Sequence, residues 1–131
     1  MSEDQKRDEE QRAIKTVAVD FDGVIHRYGR GWQDGTVYDV PMAGAIGGMK
    51  RLQERYAVFV FTSREVEQVV PWLAAWGLDV AADGPPWPAF WNSQDQILVT
   101  NRKLPAVAYI DDRGVRFVSW RDLDAQLEAL I

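Results

Sequence analysis

Apolar residues along the chain come in short unbroken runs, separated by stretches where they recur at every third or fourth position. The runs "TVAVDF" (16–21), "YAVFVF" (56–61) and "AVAYI" (106–110) are β-branched and aromatic with no polar alternation, the pattern of strands buried on both faces. "LDVA", "QILVT" and "VRFV" predict shorter strands. Met42, Ala45, Ile46, Met49 and Leu52 recur at helical spacing behind Pro41, which is placed to open a helix, and Gly44, Gly47 and Gly48 imply close packing of that helix against the sheet. A second helix is predicted from Arg64 to Trp76, with Val66, Val69, Val70 and Leu73 inward, Pro71 as a kink or restart, and Gly77 as its stop. A closing helix carries Leu123, Leu127 and Leu130 behind a Ser119 cap.

Strands alternating with helices predict an α/β fold. The expected architecture is a three-layer αβα, Rossmann-like arrangement around a central, mainly parallel sheet. Residues 26–39, "HRYGRGWQDGTVYD", combine glycines, aromatics and an Asp-Gly pair, and read as a loop or small flap hairpin after the first strand. "DGPPWPAFWNSQ" is a Pro-rich aromatic loop. Residues 1–14 read as a polar tail, and 15–131 as one domain.

Composition narrows the chemistry. The chain has 131 residues, enough for one core, and a net charge of −5, which gives no support to nonspecific binding of nucleic acid. With no cysteine and a single histidine, thiolate, iron–sulfur and multi-histidine metal sites are excluded. No run is long enough to span a bilayer and the N-terminus carries no apolar leader, so a cytoplasmic protein with no membrane partner is expected.

Oxygen ligands and carboxylates must then carry any reaction, and they gather at strand ends. Asp20 and Asp22 end the first strand with Gly23 behind them; Thr62 ends the second; Asp111 and Asp112 end "AVAYI". In open parallel sheets ligands bind beyond the carboxyl ends of the strands, so these residues can share one crevice. Residues two apart on extended chain point the same way, so Asp20 and Asp22 are expected to face one spot while Phe21 turns inward. Paired carboxylates repel unless a cation lies between them, and Mg²⁺ suits a site of hard oxygens that also holds a phosphate. Each piece has a plainer reading. Asp-x-Asp-Gly can be a capped turn, Asp111-Asp112 a helix N-terminus, Thr62-Ser63-Arg64-Glu65 a capping box, and Lys103 a solvated side chain. Their order along the chain favours chemistry.

"VAVDFDGVIH", "VFVFTSR", "TNRK" and "AYIDDR", taken in that order, resemble the four motifs of the haloacid dehalogenase superfamily of phosphohydrolases, over nearly the whole chain from about Lys15. The resemblance implies a Mg²⁺-dependent phosphatase. Asp20 would be the nucleophile that becomes aspartyl-phosphate, and Asp22 the general acid/base. Thr62 would hold the phosphoryl group and Lys103 would neutralise it. Asp111 and Asp112 would anchor Mg²⁺ together with a carboxylate oxygen of Asp20 and the backbone carbonyl of Asp22. Gly23, His26, Ser63, Arg64 and Arg113, beside the motifs, are candidate contacts to a phosphorylated substrate. Tyr28, Trp32, Trp87 and Trp91 are aromatic candidates, whereas Trp72 and Trp76 fit a packing face or oligomer interface. Neither gap between motifs has room for a folded cap, so a capless member is expected, whose substrate is large or whose site is closed by a partner subunit. Nucleotides and nucleic acid ends are among the open substrates. The competing reading is a non-catalytic, receiver-like phosphoryl-binding module; its motif order differs, because here Lys103 precedes the last acidic pair.

Overall fold

Thr16–Asp20 (β1) forms the middle of a sheet because nothing in "TVAVD" needs water until its last residue, and Val17, Ala18 and Val19 are wholly buried. The computed structural model describes residues 2, 14–111, 115–116 and 119–130. After β1 come helix α1 (Ala45–Arg55), β2 (Ala57–Phe61), α2 (Val66–Ala75), β3 (Val80–Ala82), β4 (Ile97–Thr100), β5 (Ala108–Asp111), β6 (Val115–Arg116) and α3 (Trp120–Leu130). All strands join one sheet in the order β3-β4-β2-β1-β5-β6, and every pairing is parallel. The fold is α/β, as the alternation predicts. The tail expected over 1–14 lies, apart from residues 2 and 14, outside the described residues. No helix among the described residues is long and apolar enough to cross a membrane.

The two sheet faces are covered differently. Val17, Val19, Val58, Val60, Ile97, Val99 and Ile110 point to one face, where they meet Met49 and Leu52 of α1, Val69 and Leu73 of α2, and Trp120, Leu123 and Leu127 of α3. Ala18, Phe59 and Leu98 point to the other and meet Leu104, Trp91, Ala106 and Tyr109. The helical layer expected on this second face is not found among the described residues. Crossovers between parallel strands keep one hand. The chain moves outward through α1 and α2, so its returns from β3 to β4 and from β4 to β5 run over the opposite face. Those returns are the loops 83–96 and 101–107, and they supply the apolar cover themselves.

Several local expectations shift. Pro41 does not open α1; it bridges to His26, and the helix starts at Ala45 behind Gly44, whose φ of 79° only glycine adopts freely. The 27–40 segment is not a hairpin with a ladder. It is an irregular loop closed at its base by the His26–Pro41 bridge and by Arg27 N–H donating to Val40 O at 2.9 Å. The second helix is Val66–Ala75 and keeps Pro71 inside it. Ser119 caps α3 as expected, accepting from Asp122 N–H at 3.4 Å.

Gly48 of α1 serves a helix contact rather than a sheet contact. Trp120 lies across Gly48, where an added Cβ would come within 2.3 Å of its ring. The indole cannot swing away, because its Nε1–H donates to Val24 O at 3.0 Å and the side chain is buried. Replacing Gly48 by alanine gains about 1 kcal/mol of helix propensity but overpacks a fixed ring, at a cost of about 1–3 kcal/mol. We predict a net loss for Gly48→Ala, read as a lower denaturation midpoint by circular dichroism; an unchanged or higher midpoint would show that the indole is free to move.

Candidate active site at the carboxyl edge of the sheet

Parallel register brings the strand-end residues to one edge. Asp20 is in register with Phe61, and Phe61 with Thr100. Val19 is in register with Ile110, so the residues that follow, Asp20 and Asp111, end neighbouring strands side by side. Thr62 follows Phe61 at the same edge and is buried, with its N–H donating to Thr100 O at 3.0 Å. Lys103 is exposed, and its Nζ lies 5.7 Å from the centre of the Phe61 ring, beside the residue in register with Asp20. Tyr109, two residues before Asp111, has its phenol pushed up first by burial and then by the Asp111 charge. Thus Asp20, Thr62, Lys103 and Asp111 share one edge, as the motif order implies. Asp112 and Arg113 lie outside the described residues.

Beyond Asp20 the chain turns sharply. Phe21 is wholly buried, and its carbonyl accepts from the N–H groups of Ile25 and His26, both at 2.9 Å. Gly23 takes a φ of 80° with open space around it, as the turn requires. Asp22 is thereby aimed at two partners. Arg64 Nε–H lies 3.0 Å from its Oδ1 and 2.9 Å from its Oδ2, and His26 Nδ1 lies 2.8 Å from Oδ1.

Arg64 reaches this place through a turn the sequence signalled differently. Thr62 does not cap α2. Its hydroxyl accepts from Arg64 N–H at 3.0 Å, and Glu65 occupies the N-cap with no side-chain cap bond. Asn101 stitches the same turn to β4, donating to Thr62 O at 2.7 Å and Arg64 O at 2.8 Å. The guanidinium, only 1% exposed, then donates through Nη1 to Gly35 O (2.5 Å) and Thr36 O (3.3 Å) and stacks under Trp32 at 4.6 Å. One buried cation therefore joins Asp22 to the flap. Its Nη2 has no acceptor among the described residues. At the flap base Asp39 accepts from Gly29 N–H (2.8 Å) and Val40 N–H (2.8 Å), bonds that hold its carboxyl below the ordinary range.

Of the substrate contacts expected from the sequence, Gly23 and Ser63 are exposed and Arg64 is buried. His26 is wholly buried with both ring nitrogens bonded, so it offers no atom to a substrate and needs another role. Among the aromatics, Trp72 packs edge-on against Phe21 and His26, and Trp91 lies against the second sheet face, donating to Gln96 O at 3.3 Å. Trp32 and Trp87 remain about half exposed.

A second polar network, which the sequence reading missed, fixes the Pro-rich loop. Arg102 Nε–H and Nη2–H grip the Asp83 carboxylate at 2.8 and 3.0 Å, and Nη2–H also donates to Pro88 O at 2.7 Å. Thr100 Oγ1–H adds a bond to Asp83 at 2.6 Å. This network holds Trp87, at a φ of 55°, with its ring 5.5 Å from the Arg102 guanidinium. A cavity of about 120 Å³ opens between this corner and Glu65, Val66, Glu67 and Asn101.

Among the described residues no three acidic or histidine side chains stand together as a metal cluster. Asp20 and Asp111, hard carboxylates, end adjacent strands whose backbones lie about 4.8 Å apart across the sheet. Two carboxylates plus waters and a phosphate are a donor set that fits Mg²⁺, which seldom takes an all-protein cage. No protein-family model matches the chain, and comparison with curated proteins and with solved structures finds no match either.

The second network carries a pH signature. Hydrogen bonds from Arg102 hold the Asp83 carboxyl below its ordinary 3.8, Thr100 and Gly84 N–H add to this, and burial opposes it. A lowered folded value means that the stabilisation is present above pH 3.8 and is lost as pH falls below it. Asp83→Asn should therefore lose less unfolding free energy than the wild type between about pH 5 and pH 3 in urea titrations; identical slopes would show the pair to be unlinked to stability.

Proposed function

We propose that the chain is a Mg²⁺-dependent phosphomonoesterase working through an aspartyl-phosphate on Asp20. The observation that supports this best is the adjacency of Asp20 and Asp111 in register, with Thr62 and Lys103 on the same edge. That set of a nucleophile, a cation anchor, a hydroxyl donor and an ammonium is what phosphoryl transfer asks of a protein: positioning and neutralisation of charge. The finer architecture belongs to the same reading, namely a layered Rossmann-like core without a separate cap, in which the 27–40 flap and the 83–96 loop border the site.

In this reading an Asp20 oxygen attacks phosphorus, and the bond to the leaving oxygen breaks. Asp22 gives its proton to that oxygen. A water then attacks the aspartyl-phosphate, Asp22 takes a proton from it, and Asp20 is released with inorganic phosphate. Thr62 and Lys103 hold the transferring oxygens, and Gly23 and Ser63 border them. Asp20 and Asp111, with Asp112 and the Asp22 carbonyl, would hold the Mg²⁺. The cation, when bound, offsets the repulsion between an attacking carboxylate and an anionic phosphate. The substrate is a phosphorylated molecule of unassigned size, and cytoplasmic location belongs to this proposal.

Two measurements test it. With p-nitrophenyl phosphate and Mg²⁺ the wild type should turn over repeatedly, EDTA should silence it, and added Mg²⁺ should restore it. Uptake of no more than about one phosphoryl per chain would favour a receiver-like module instead. Asp20→Asn should lose at least about a hundredfold in kcat while remaining folded by circular dichroism; near-normal turnover would refute the assignment.

A further inference from the structure

We infer that His26 is a positioning residue: it fixes the rotation of the Asp22 carboxylate and leaves Oδ2 as the oxygen that handles the leaving-group proton. This rests on the reading of Asp22 as general acid/base. The geometry begins at the flap. Asp39 N–H points at His26 Nε2 over 3.0 Å, and a backbone N–H can only donate. Nε2 must therefore hold a lone pair, which puts the imidazole proton on Nδ1. That nitrogen lies 2.8 Å from Asp22 Oδ1, so the ring donates there. Oδ1 receives a second donor from Arg64 Nε–H at 3.0 Å, whereas Oδ2 receives only that same Arg64 group, at 2.9 Å. Among the described residues the two oxygens are thus unequal: Oδ1 accepts from two donors and Oδ2 from one, which leaves Oδ2 the freer lone pairs.

The ring has no freedom to reverse this. It is wholly buried, stacked on Phe21 at 5.3 Å and 10°, and met edge-on by Tyr38 and Trp72. Trp72 Nε1–H in turn donates to Asp39 O at 3.1 Å, so the flap residue that selects the tautomer is itself anchored to α2. A flip would set Cε1–H against the Asp39 N–H and Cδ2–H against Asp22 Oδ1, and break both bonds at once.

His26 is the only histidine in the chain, so ¹⁵N-histidine labelling reads its tautomer without assignment. At pH 8, above the ordinary imidazole range near about 6.5, the ¹⁵N–¹H correlation pattern should show protonation at Nδ1; an Nε2–H pattern would overturn the inference. Kinetics then separate positioning from support. His26→Ala should lower kcat on p-nitrophenyl phosphate about tenfold or more, with a smaller change in KM. His26→Asn places an amide N–H where Nδ1 stood and should recover most of that loss. His26→Gln places its amide where Nε2 stood and should not. Equal recovery by the two amides would mean that His26 only fills space. If the variants do not fold, the wild-type tautomer decides alone. A chain with the Nδ1–H tautomer that hydrolyses no phosphoester would refute the phosphatase reading and leave the tautomer assignment standing.

Discussion

The placement of the strand-end acids at the candidate site follows from one register. β1 and β5 lie side by side and parallel, with Val17 against Ala108 and Val19 against Ile110, and each strand turns acidic at its next residue. Shifting either strand by one residue would turn Asp20 or Asp111 toward the helical face, among Val19, Val60 and Ile110. The apolar pattern that buries β1 therefore also sets where its carboxylate stands. Burial of Val17 and Val19 against the helices fixes which face the even-numbered residues take, so core packing and placement of the charged edge are the same constraint.

The second acidic residue of the motif is governed by a different force. Asp22 has left the sheet, and its partners are a buried guanidinium and a buried imidazole. A cation removed from water this completely is tolerated because it is paired and hydrogen-bonded: Asp22 on one side, the Gly35 and Thr36 carbonyls on the other. Removing one partner of such a pair costs about 3–5 kcal/mol, far more than an exposed pair is worth. The flap is thus held to the acid by a contact that is expensive to break, with Trp32 laid over it. Arg55 and Glu128, more than half exposed at 3.0 Å, illustrate the opposite case and contribute little.

Much of this was legible in the residues themselves. Unbroken apolar runs identified the strands, because a parallel strand covered on both faces has no polar side to alternate. The strand-end acids were visible for the same reason, as the first polar residues after such a run. What escaped was long-range. Thr62-Ser63-Arg64-Glu65 looks like a capping box, yet Arg64 is drawn inward by Asp22, forty-two positions earlier, and Thr62 closes the resulting turn instead. Gly48 of α1 suggested a sheet contact, but its partner is Trp120 from the end of the chain. Asp83 and Arg102 carry no local signature, since their pairing depends on β3 and β4 being neighbours. His26, after a strand, could be a core-edge or a flap residue; its burial against Phe21 and Trp72 decides for the first and gives it an internal role.

The claim that matters most is that Asp20 accepts a phosphoryl group. Acid-quenching the wild type during turnover of acetyl phosphate with Mg²⁺, followed by borohydride reduction and peptide mass spectrometry, tests it directly. The account predicts reduction of an acyl phosphate at Asp20 and at no other acidic residue. Phosphate release with the label on Asp22, on Asp111 or nowhere would contradict it.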